Sequence, residues 1–150
     1  MQVGVCCNRE VVIIDRAASV VDAACLMRLH HVGDLVVVEQ KDGGNIPVAL
    51  VTDRDIVIET IAEGIGDLDK LAAVDLADRE LVTIQEDASV FEAIARMRSH
   101  VIRRMPVVDG AGRLVGILTF DDLIDLLVEQ LGNLSTISIR QQRKEAERRP

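Results

Sequence analysis

Aromatic residues are almost missing from the sequence: its 150 residues contain no Trp, no Tyr and only two Phe. Proteins that bind single-stranded nucleic acid stack the bases on aromatic side chains, and this chain has almost none to offer. Its net charge of −8 would also repel a nucleic acid backbone. We therefore expect no binding to nucleic acid.

Cysteines and long apolar runs are also scarce. Cys6 and Cys7 are adjacent and Cys25 stands alone, so no Cys-x-x-Cys pair can hold a metal, and reduced thiols are expected. Cys25 falls on an apolar helical face, which predicts a small core residue. No apolar run approaches the roughly 18 residues of a membrane span, and the start lacks the features of a signal peptide. These absences predict a cytoplasmic protein without membrane contact.

An internal repeat with an offset of ~70 residues organises the chain. Residues 18–38 (ASVVDAACLMRLHHVGDLVVV) match residues 88–108 (ASVFEAIARMRSHVIRRMPVV), and a shorter match precedes each segment. Farther along, VALVTDRDI matches VGILTFDDL at a slightly smaller offset. We therefore divide the chain into four parts. Repeat 1 covers residues 5–66, residues 67–76 form a linker and the start of repeat 2, repeat 2 covers residues 77–134, and residues 135–150 form a charged tail.

Each repeat has the same predicted order of elements, β-α-β-β-α. The first helices begin at the capping-box patterns Ser19-x-x-Asp22 and Ser89-x-x-Glu92. The second helices are DIVIETIAEG and DDLIDLLVEQLG, each with a glycine as its stop signal. The prediction is an α/β (α+β) fold in which two such repeats pack with pseudo-two-fold symmetry. The tail is expected to be a solvated helical extension or disordered, and it could dock a partner protein.

A threonine and an aspartate stand where the last strand of each repeat meets its second helix. Thr52 and Asp55 have the spacing of a capping box, as do Thr119 and Asp122, so they could simply cap these helices. Alternatively, they could form a ligand site, because a helix start attracts anions and a carboxylate accepts hydrogen bonds from a ribose. Gly116 would allow such a ligand to approach the backbone closely. Both interpretations remain open at this point.

These motifs resemble the CBS domain, named for cystathionine β-synthase, present here as a tandem pair (a Bateman module). The resemblance covers nearly all of residues 5–132 and rests on the repeat order, on HHVGDLVVV and RRMPVVD, and on VTDRDI and GILTFDDL. The glycine of the family signature, G-hydrophobic-x-[ST]-x-x-D, is present at Gly116 in repeat 2. In repeat 1, Ala49 replaces it.

The resemblance implies a regulatory module that binds an adenosine nucleotide (AMP, ADP or ATP) in clefts between its repeats, without a required cofactor or metal. S-adenosylmethionine or a dinucleotide is a less favoured ligand. By position, Asp55 and Asp122 would contact ribose, and Thr52 and Thr119 would lie near phosphates. The other ligand-binding residues implied in this way are Arg54, Arg103, Arg104, Gly116 and Ile117, with Val12, Val32, Val82 and Ile102 around adenine.

One of the two clefts is predicted to bind more strongly. Arg103 and Arg104 share a repeat with Asp122, whereas the matching positions of repeat 1 hold Gly33 and Asp34. An acidic residue there would repel phosphate, although Arg54 would partly compensate. The stronger site is therefore expected at Thr119 and Asp122. The resemblance also implies that the two clefts face each other, so the alternative is that the arginines serve the phosphates of the other cleft.

The sequence contains no recognisable nucleophile–base pair, metal cluster or Walker loop, so an enzyme is not expected. Since no effector domain is attached, the module is expected to act on a partner protein in trans. The alternative is an assembly module that works without a ligand. Apolar residues of the last helix cover roughly 200° of its circumference, against ~100° for a surface helix, which predicts a homodimer through the second helices.

Overall fold

Two three-stranded sheets form the framework of the protein, one from each repeat. The computed structural model describes residues 1–77 and 80–149. The strands are β1 (Ile13–Asp15), β2 (Asp34–Lys41), β3 (Gly44–Thr52), β4 (Ile84–Gln85), β5 (Arg104–Val108) and β6 (Leu114–Thr119). In both sheets the first strand pairs in parallel with the second, and the second pairs antiparallel with the third. The predicted fold of two β-α-β-β-α repeats is confirmed.

The first helix of each repeat connects the two parallel strands. These helices are α2 (Val20–His30) and α4 (Val90–His100). The Ser19–Asp22 capping box is complete at α2. At α4 only half of it forms: Ser89 accepts a hydrogen bond from the backbone N–H of Glu92, but the Glu92 carboxylate accepts one from Arg96 instead. Ser89 and Ser19 nevertheless start these helices where the sequence predicts.

The second helices of the two repeats differ in length, which the sequence did not predict. In repeat 1, α3 (Asp53–Ile56) continues as a π-helix over Val57–Ile61, and Gly64 follows with φ of 71°. In repeat 2, α5 (Phe120–Arg148) runs for 29 residues straight through Gly132. The predicted glycine stop is wrong there, because Gly132 keeps a helical backbone and does not adopt the positive φ that ends a helix. The tail is thus a helical extension, and α5 crosses the predicted boundary at residue 134.

A small cluster of apolar side chains joins the two sheets. Val36, Val38 and Ile117 are buried together, and Leu50 and Leu114 pack around them. Each repeat also has its own core, built from its sheet and its first helix. The inter-sheet cluster therefore couples two separate cores into one body.

The segment at the start of each repeat packs on the other repeat. The short helix α1 (Val3–Cys6) lies on repeat 2, where the Val3 N–H donates to the Ala88 carbonyl at 2.9 Å. The pseudo-equivalent Ala73 N–H donates to the Ala18 carbonyl of repeat 1, also at 2.9 Å. Residues 73–76 form a 3₁₀ turn whose apolar side chains are buried in the core of repeat 1. The segment predicted as a linker is therefore part of that core.

The cysteines are placed differently from the prediction in one case. Cys25 is exposed, because α2 buries the face that carries Val20, Ala23 and Met27. Its prediction as a core residue is wrong. Cys6 and Cys7 are half-buried, and burial raises the pKa of both thiols above the usual range. Among the described residues, no three potential metal ligands lie together, and no helix has the length and apolar character needed to cross a bilayer.

Candidate functional site

A cavity of about 490 Å³ opens between the two repeats. Repeat 1 contributes Thr52, Arg54 and Asp55 from the turn between β3 and α3. The second half of the chain contributes nine residues, which are Ala77, Glu80, Leu81, Val82, Val101, Ile102, Arg103, Arg104 and Pro106. The volume falls in the range of small-molecule sites, which is about 300–1,000 Å³. The cavity is thus the leading candidate for a ligand site.

Both Thr–Asp pairs form capping boxes. The Asp55 N–H donates to Thr52 Oγ1 at 3.1 Å, and the Thr52 N–H donates to Asp55 Oδ2 at 2.8 Å. Thr119 and Asp122 form the same two bonds at the start of α5. The capping interpretation is therefore correct for both pairs. It does not exclude a ligand, because Asp55 uses only Oδ2 in the box, and its Oδ1 makes no hydrogen bond within the described parts of the chain.

The two boxes differ in the threonine hydroxyl. Thr119 Oγ1 also donates to Asp122 Oδ2 at 2.6 Å, so its proton is already used in a hydrogen bond within the capping box. Thr52 makes no corresponding bond to Asp55 among the described residues. The Thr52 hydroxyl can therefore donate to a ligand without losing an internal hydrogen bond.

Arg104 is held by an ion pair that joins the repeats. Its Nη1 contacts Asp34 Oδ2, and both side chains are partly buried. Asp34 and Arg104 occupy the same position in the two repeats, and they lie opposite Thr52 and Thr119 in their respective sheets. Burial raises the pKa of Asp34 above its usual range, and the Arg104 charge only partly offsets this effect. The pair thus lies between the two Thr–Asp turns.

Arg103 is more loosely held. Its guanidinium lies 3.4 Å from Asp121 and 5.2 Å from the centre of the Phe120 ring, and both charged groups of the ion pair are exposed. Exposed ion pairs of this kind contribute about 0–1 kcal/mol. Arg103 can therefore turn toward a ligand in the cavity at little cost.

The structure corrects the predicted assignment of the arginines. Arg103 and Arg104 were placed with Asp122, but they line the cavity that contains Thr52 and Asp55. The reason is the pseudo-two-fold arrangement, in which the β3–α3 turn of one repeat faces the loop after the first helix of the other. Asp122 instead borders a shallower depression of about 400 Å³ against α1. That depression is lined by Met1, Val5, Cys6, Asp122, Asp125, Leu126 and Glu129.

Gly116 has a structural role that the sequence did not reveal. A Cβ at this position would lie 2.8 Å from Cys7 Sγ and 2.9 Å from the Asn8 carbonyl oxygen. Asn8 pairs with Ile117 through two backbone hydrogen bonds of 2.9 Å, and the Ile117 side chain is buried in the inter-sheet cluster. The space beside Gly116 is therefore filled by the N-terminal segment, so the predicted approach of a ligand there is wrong.

Two of the four residues predicted around adenine lie at the cavity. Val82 and Ile102 line it, whereas Val12 and Val32 pack against the core of repeat 1. Leu50 also lines the cavity and was missed. Its alignment with Ile117 in the repeat could have indicated it.

Comparison with known proteins identifies relatives of both sequence and structure. The family model of the CBS domain matches residues 3–60 and 73–129. The chain is 34% identical over 126 residues to the uncharacterized protein MK0525 of Methanopyrus kandleri, which covers 84% of this chain. The match spans only 62% of the length of that relative.

Two solved structures resemble this fold closely. The first is the CBS domain protein PAE2072 from Pyrobaculum aerophilum in complex with AMP, with a TM-score of 0.71, 28% identity, and coverage of 81% of this chain and 89% of that one. The second is the CBS domain pair of protein MJ0100 in complex with 5′-methylthioadenosine and S-adenosyl-L-methionine. Its TM-score is 0.70 at 25% identity, over 85% of this chain and 99% of that one.

Proposed function

Because the chain belongs to the CBS domain family and carries two copies of the domain, we propose that it is a regulatory module that binds AMP, ADP or ATP. The proposed site is the cavity between the repeats. One observation carries the proposal: this cavity combines a Thr–Asp turn, three arginines and an apolar wall from different repeats. The related protein PAE2072 in complex with AMP supports the choice of ligand class.

Each part of the nucleotide has a matching group in the cavity. Asp55 Oδ1 accepts a hydrogen bond from a ribose hydroxyl, and the Thr52 hydroxyl donates to a phosphate. Arg103 and Arg104 contact the phosphates, with Arg54 beside them. The apolar wall holds adenine and consists of Leu50, Val82, Ile102 and Pro106.

The arginines favour a phosphorylated ligand over S-adenosylmethionine. The sulfonium group of S-adenosylmethionine is positive, so Arg54, Arg103 and Arg104 would repel it, whereas they attract a phosphate. Asp55, Glu59 and Glu80 also line the cavity, and their three negative charges balance those of the three arginines. A ligand with few phosphates, such as AMP, therefore suits the site better than a highly charged one.

We also propose how the module acts. It has no catalytic activity, resides in the cytoplasm, and changes the activity of a partner protein in trans when its nucleotide binds. The alternative is an assembly module that works without a ligand. A specific observation favours that alternative, because α5 exposes a long row of apolar side chains. Under either proposal the protein is a homodimer through its second helices.

Isothermal titration calorimetry with two matched variants tests the nucleotide proposal. Asp55→Ala and Asp122→Ala both remove the hydrogen bond from the threonine N–H, and Asp122→Ala also removes the one from the Thr119 hydroxyl. Each change costs about 0.5–2 kcal/mol of helix capping. Only Asp55→Ala removes the ribose acceptor of the cavity. We expect it to weaken AMP binding at least tenfold, which corresponds to about 1.4 kcal/mol, while Asp122→Ala binds like the unmodified protein.

The opposite result would assign the ligand to the Asp122 side. If AMP, ADP, ATP, S-adenosylmethionine and 5′-methylthioadenosine all give flat titrations, the assembly proposal is preferred. A second readout is simple here, because a protein without Trp or Tyr absorbs little at 280 nm. An adenine band near 260 nm in the acid supernatant of the purified protein would reveal a co-purified nucleotide.

A further inference from the structure

Strand β4 begins one residue later than β1, its counterpart in repeat 1. Strand β1 begins at Ile13, whereas β4 begins at Ile84, which is the equivalent of Ile14. Both strands end at equivalent positions, and their parallel pairing with β2 and β5 has the same register. The difference is therefore confined to the start of β4, next to Leu81 and Val82, which line the cavity.

Pro106 explains the late start of β4. In repeat 1 the Val36 N–H donates to the Val12 carbonyl oxygen at 3.1 Å, which joins the start of β1 to β2. The equivalent residues of repeat 2 are Pro106 and Val82, and proline has no N–H to donate. The corresponding bond is therefore missing, and the Val82 carbonyl oxygen accepts no hydrogen bond within residues 1–77 and 80–149.

The Val82 carbonyl lies at the wall of the cavity. Its equivalent in repeat 1 faces β2, so the Val82 carbonyl faces β5 at Pro106. Val82 and Pro106 both line the cavity. The next carbonyl along the chain, that of Thr83, already accepts a hydrogen bond from Arg96 at 2.8 Å. The Val82 carbonyl is thus an acceptor available to a ligand, on the side of the cavity where the side chains are apolar.

An unpaired acceptor on an apolar wall selects a ligand that carries a hydrogen-bond donor. A carbonyl that a ligand covers loses its contact with water and needs a donor in return. Because the proposed site holds the ribose at Asp55 and the phosphates at the arginines, the base of the nucleotide lies along this wall. Adenine has an amino group at C6, which donates, whereas hypoxanthine and guanine have an oxygen there, which only accepts. Two acceptors in contact would both stay unpaired.

We propose that the Val82 carbonyl oxygen accepts a hydrogen bond from the 6-amino group of the bound purine, and that Pro106 leaves this oxygen free to do so. Pro106 thus determines the choice of base through the backbone, although its side chain has no polar atom. The equivalent carbonyl of repeat 1 is already bonded to the Val36 N–H, so the selectivity is confined to this cavity. The inference rests on the proposed nucleotide function, and it adds the choice between 6-amino and 6-oxo purines.

Three ligands that differ at C6 of the purine test this contact on the unmodified protein. AMP, purine riboside 5′-monophosphate and IMP carry an amino group, a hydrogen and an oxygen at this position. By calorimetry we expect purine riboside 5′-monophosphate to bind about fivefold more weakly than AMP, because one hydrogen bond is lost. IMP should bind roughly tenfold or more weakly than AMP, because its oxygen meets another acceptor. Equal affinity for AMP and purine riboside 5′-monophosphate would overturn the proposal.

The substitution Pro106→Val tests the role of the proline. It introduces the residue type that repeat 1 has at the equivalent position, Val36, and the new N–H should donate to the Val82 carbonyl. We expect AMP to bind about fivefold more weakly, while purine riboside 5′-monophosphate binds as it does to the unmodified protein. Pro47→Val is the control, because it makes the same change in β3, outside the cavity lining.

The outcomes separate this inference from the proposed function. An equal loss for both ligands in Pro106→Val, or no loss for AMP, would contradict the role of the proline. Flat titrations of the unmodified protein with all three ligands would remove the nucleotide site itself. Tight binding that does not depend on the group at C6 would remove only the contact with the Val82 carbonyl.

Discussion

Asp34 and Arg104 show how two copies of one sequence unit meet without a like-charge clash. The two positions are equivalent in the repeats, and their side chains contact each other across the pseudo-two-fold arrangement. Two acids or two arginines would repel each other there, so the repeats differ where they touch. Since Arg104 also lines the cavity, Asp34 competes with any phosphate for its guanidinium.

Replacing Asp34 should therefore strengthen binding of phosphorylated nucleotides. Asp34→Asn keeps the size of the side chain and releases Arg104 to bind phosphate. A hydrogen bond to a charged group contributes about 1.5–3 kcal/mol, so AMP should bind roughly tenfold more tightly by calorimetry, with adenosine unchanged. Asp53→Asn, a neighbouring exposed acid, controls for the loss of one charge. If adenosine also binds more tightly to Asp34→Asn, the gain does not come from a phosphate on Arg104. An equal rise in AMP affinity in Asp53→Asn would likewise contradict competition for Arg104.

Gly116 is required by packing against the N-terminal segment, and this predicts a loss of stability on substitution. Gly116→Ala places a methyl group within 3 Å of Cys7 Sγ and the Asn8 carbonyl oxygen. Overpacking of this kind costs about 1–3 kcal/mol in the free energy of unfolding, measured by urea denaturation. Gly110→Ala is the control, because a Cβ there meets no described atom within 4 Å. Similar stability of the two variants would show that the N-terminal segment moves away from the added methyl group at little cost in free energy.

At the scale of single residues, the sequence predicted local hydrogen bonds better than contacts between distant parts of the chain. The capping bonds of Thr52 and Thr119 were predicted correctly because they depend only on local spacing. The placement of Arg104 was not, because it depends on which repeat faces which turn. No spacing within one repeat contains that information.

Among the elements, the second helices of the repeats differ most, and two glycines distinguish them. Gly64 ends the helix of repeat 1 with φ of 71°, a conformation that residues with a Cβ rarely adopt. Gly132 lies inside α5. A glycine therefore ends the helix in repeat 1 but lies within the helix in repeat 2, so the presence of a glycine does not by itself predict the end of a helix.

Alanine at these two glycines should change stability in opposite directions. Gly132→Ala should strengthen α5 by about 0.5–1 kcal/mol, because alanine loses less backbone freedom in a helix. Amide exchange over residues 128–140 should slow by roughly two- to fivefold in mass spectrometry. Gly64→Ala should instead lower the free energy of unfolding by about 1 kcal/mol, owing to its positive φ. Faster exchange in Gly132→Ala would contradict a continuous α5.

Periodicity predicted which elements exist, but it did not predict how far they extend or which face is buried. The strands and the two long first helices follow from patterns inside each repeat. The length of α5 did not follow from these patterns, because its residues 127–149 are all exposed and do not contribute to the core of either repeat. Cys25 was assigned to the wrong face of α2 for a related reason: several sides of that helix are apolar, and the tertiary structure decides among them.

In the whole molecule, the exchange of short segments links the stability of one repeat to that of the other. Helix α1 precedes repeat 1 but packs on repeat 2, and residues 73–76 precede repeat 2 but pack in the core of repeat 1. Together with the inter-sheet cluster, these contacts oppose the opening of one repeat alone. The repeat pattern predicted two similar units, but the exchange was missed because it joins segments with little sequence similarity.

A substitution in α1 should therefore destabilise both sheets. Val3 is fully buried on repeat 2, and Val3→Ala should cost roughly 1.5–3 kcal/mol through lost burial and the remaining cavity. Hydrogen exchange in mild denaturant should accelerate roughly ten- to hundredfold in β2–β3 as well as in β5–β6, because the repeats open together. Val5→Ala, in the same helix but 74% exposed, should leave both sheets unchanged. Acceleration confined to β5–β6 would show that the repeats unfold separately despite the exchanged segments.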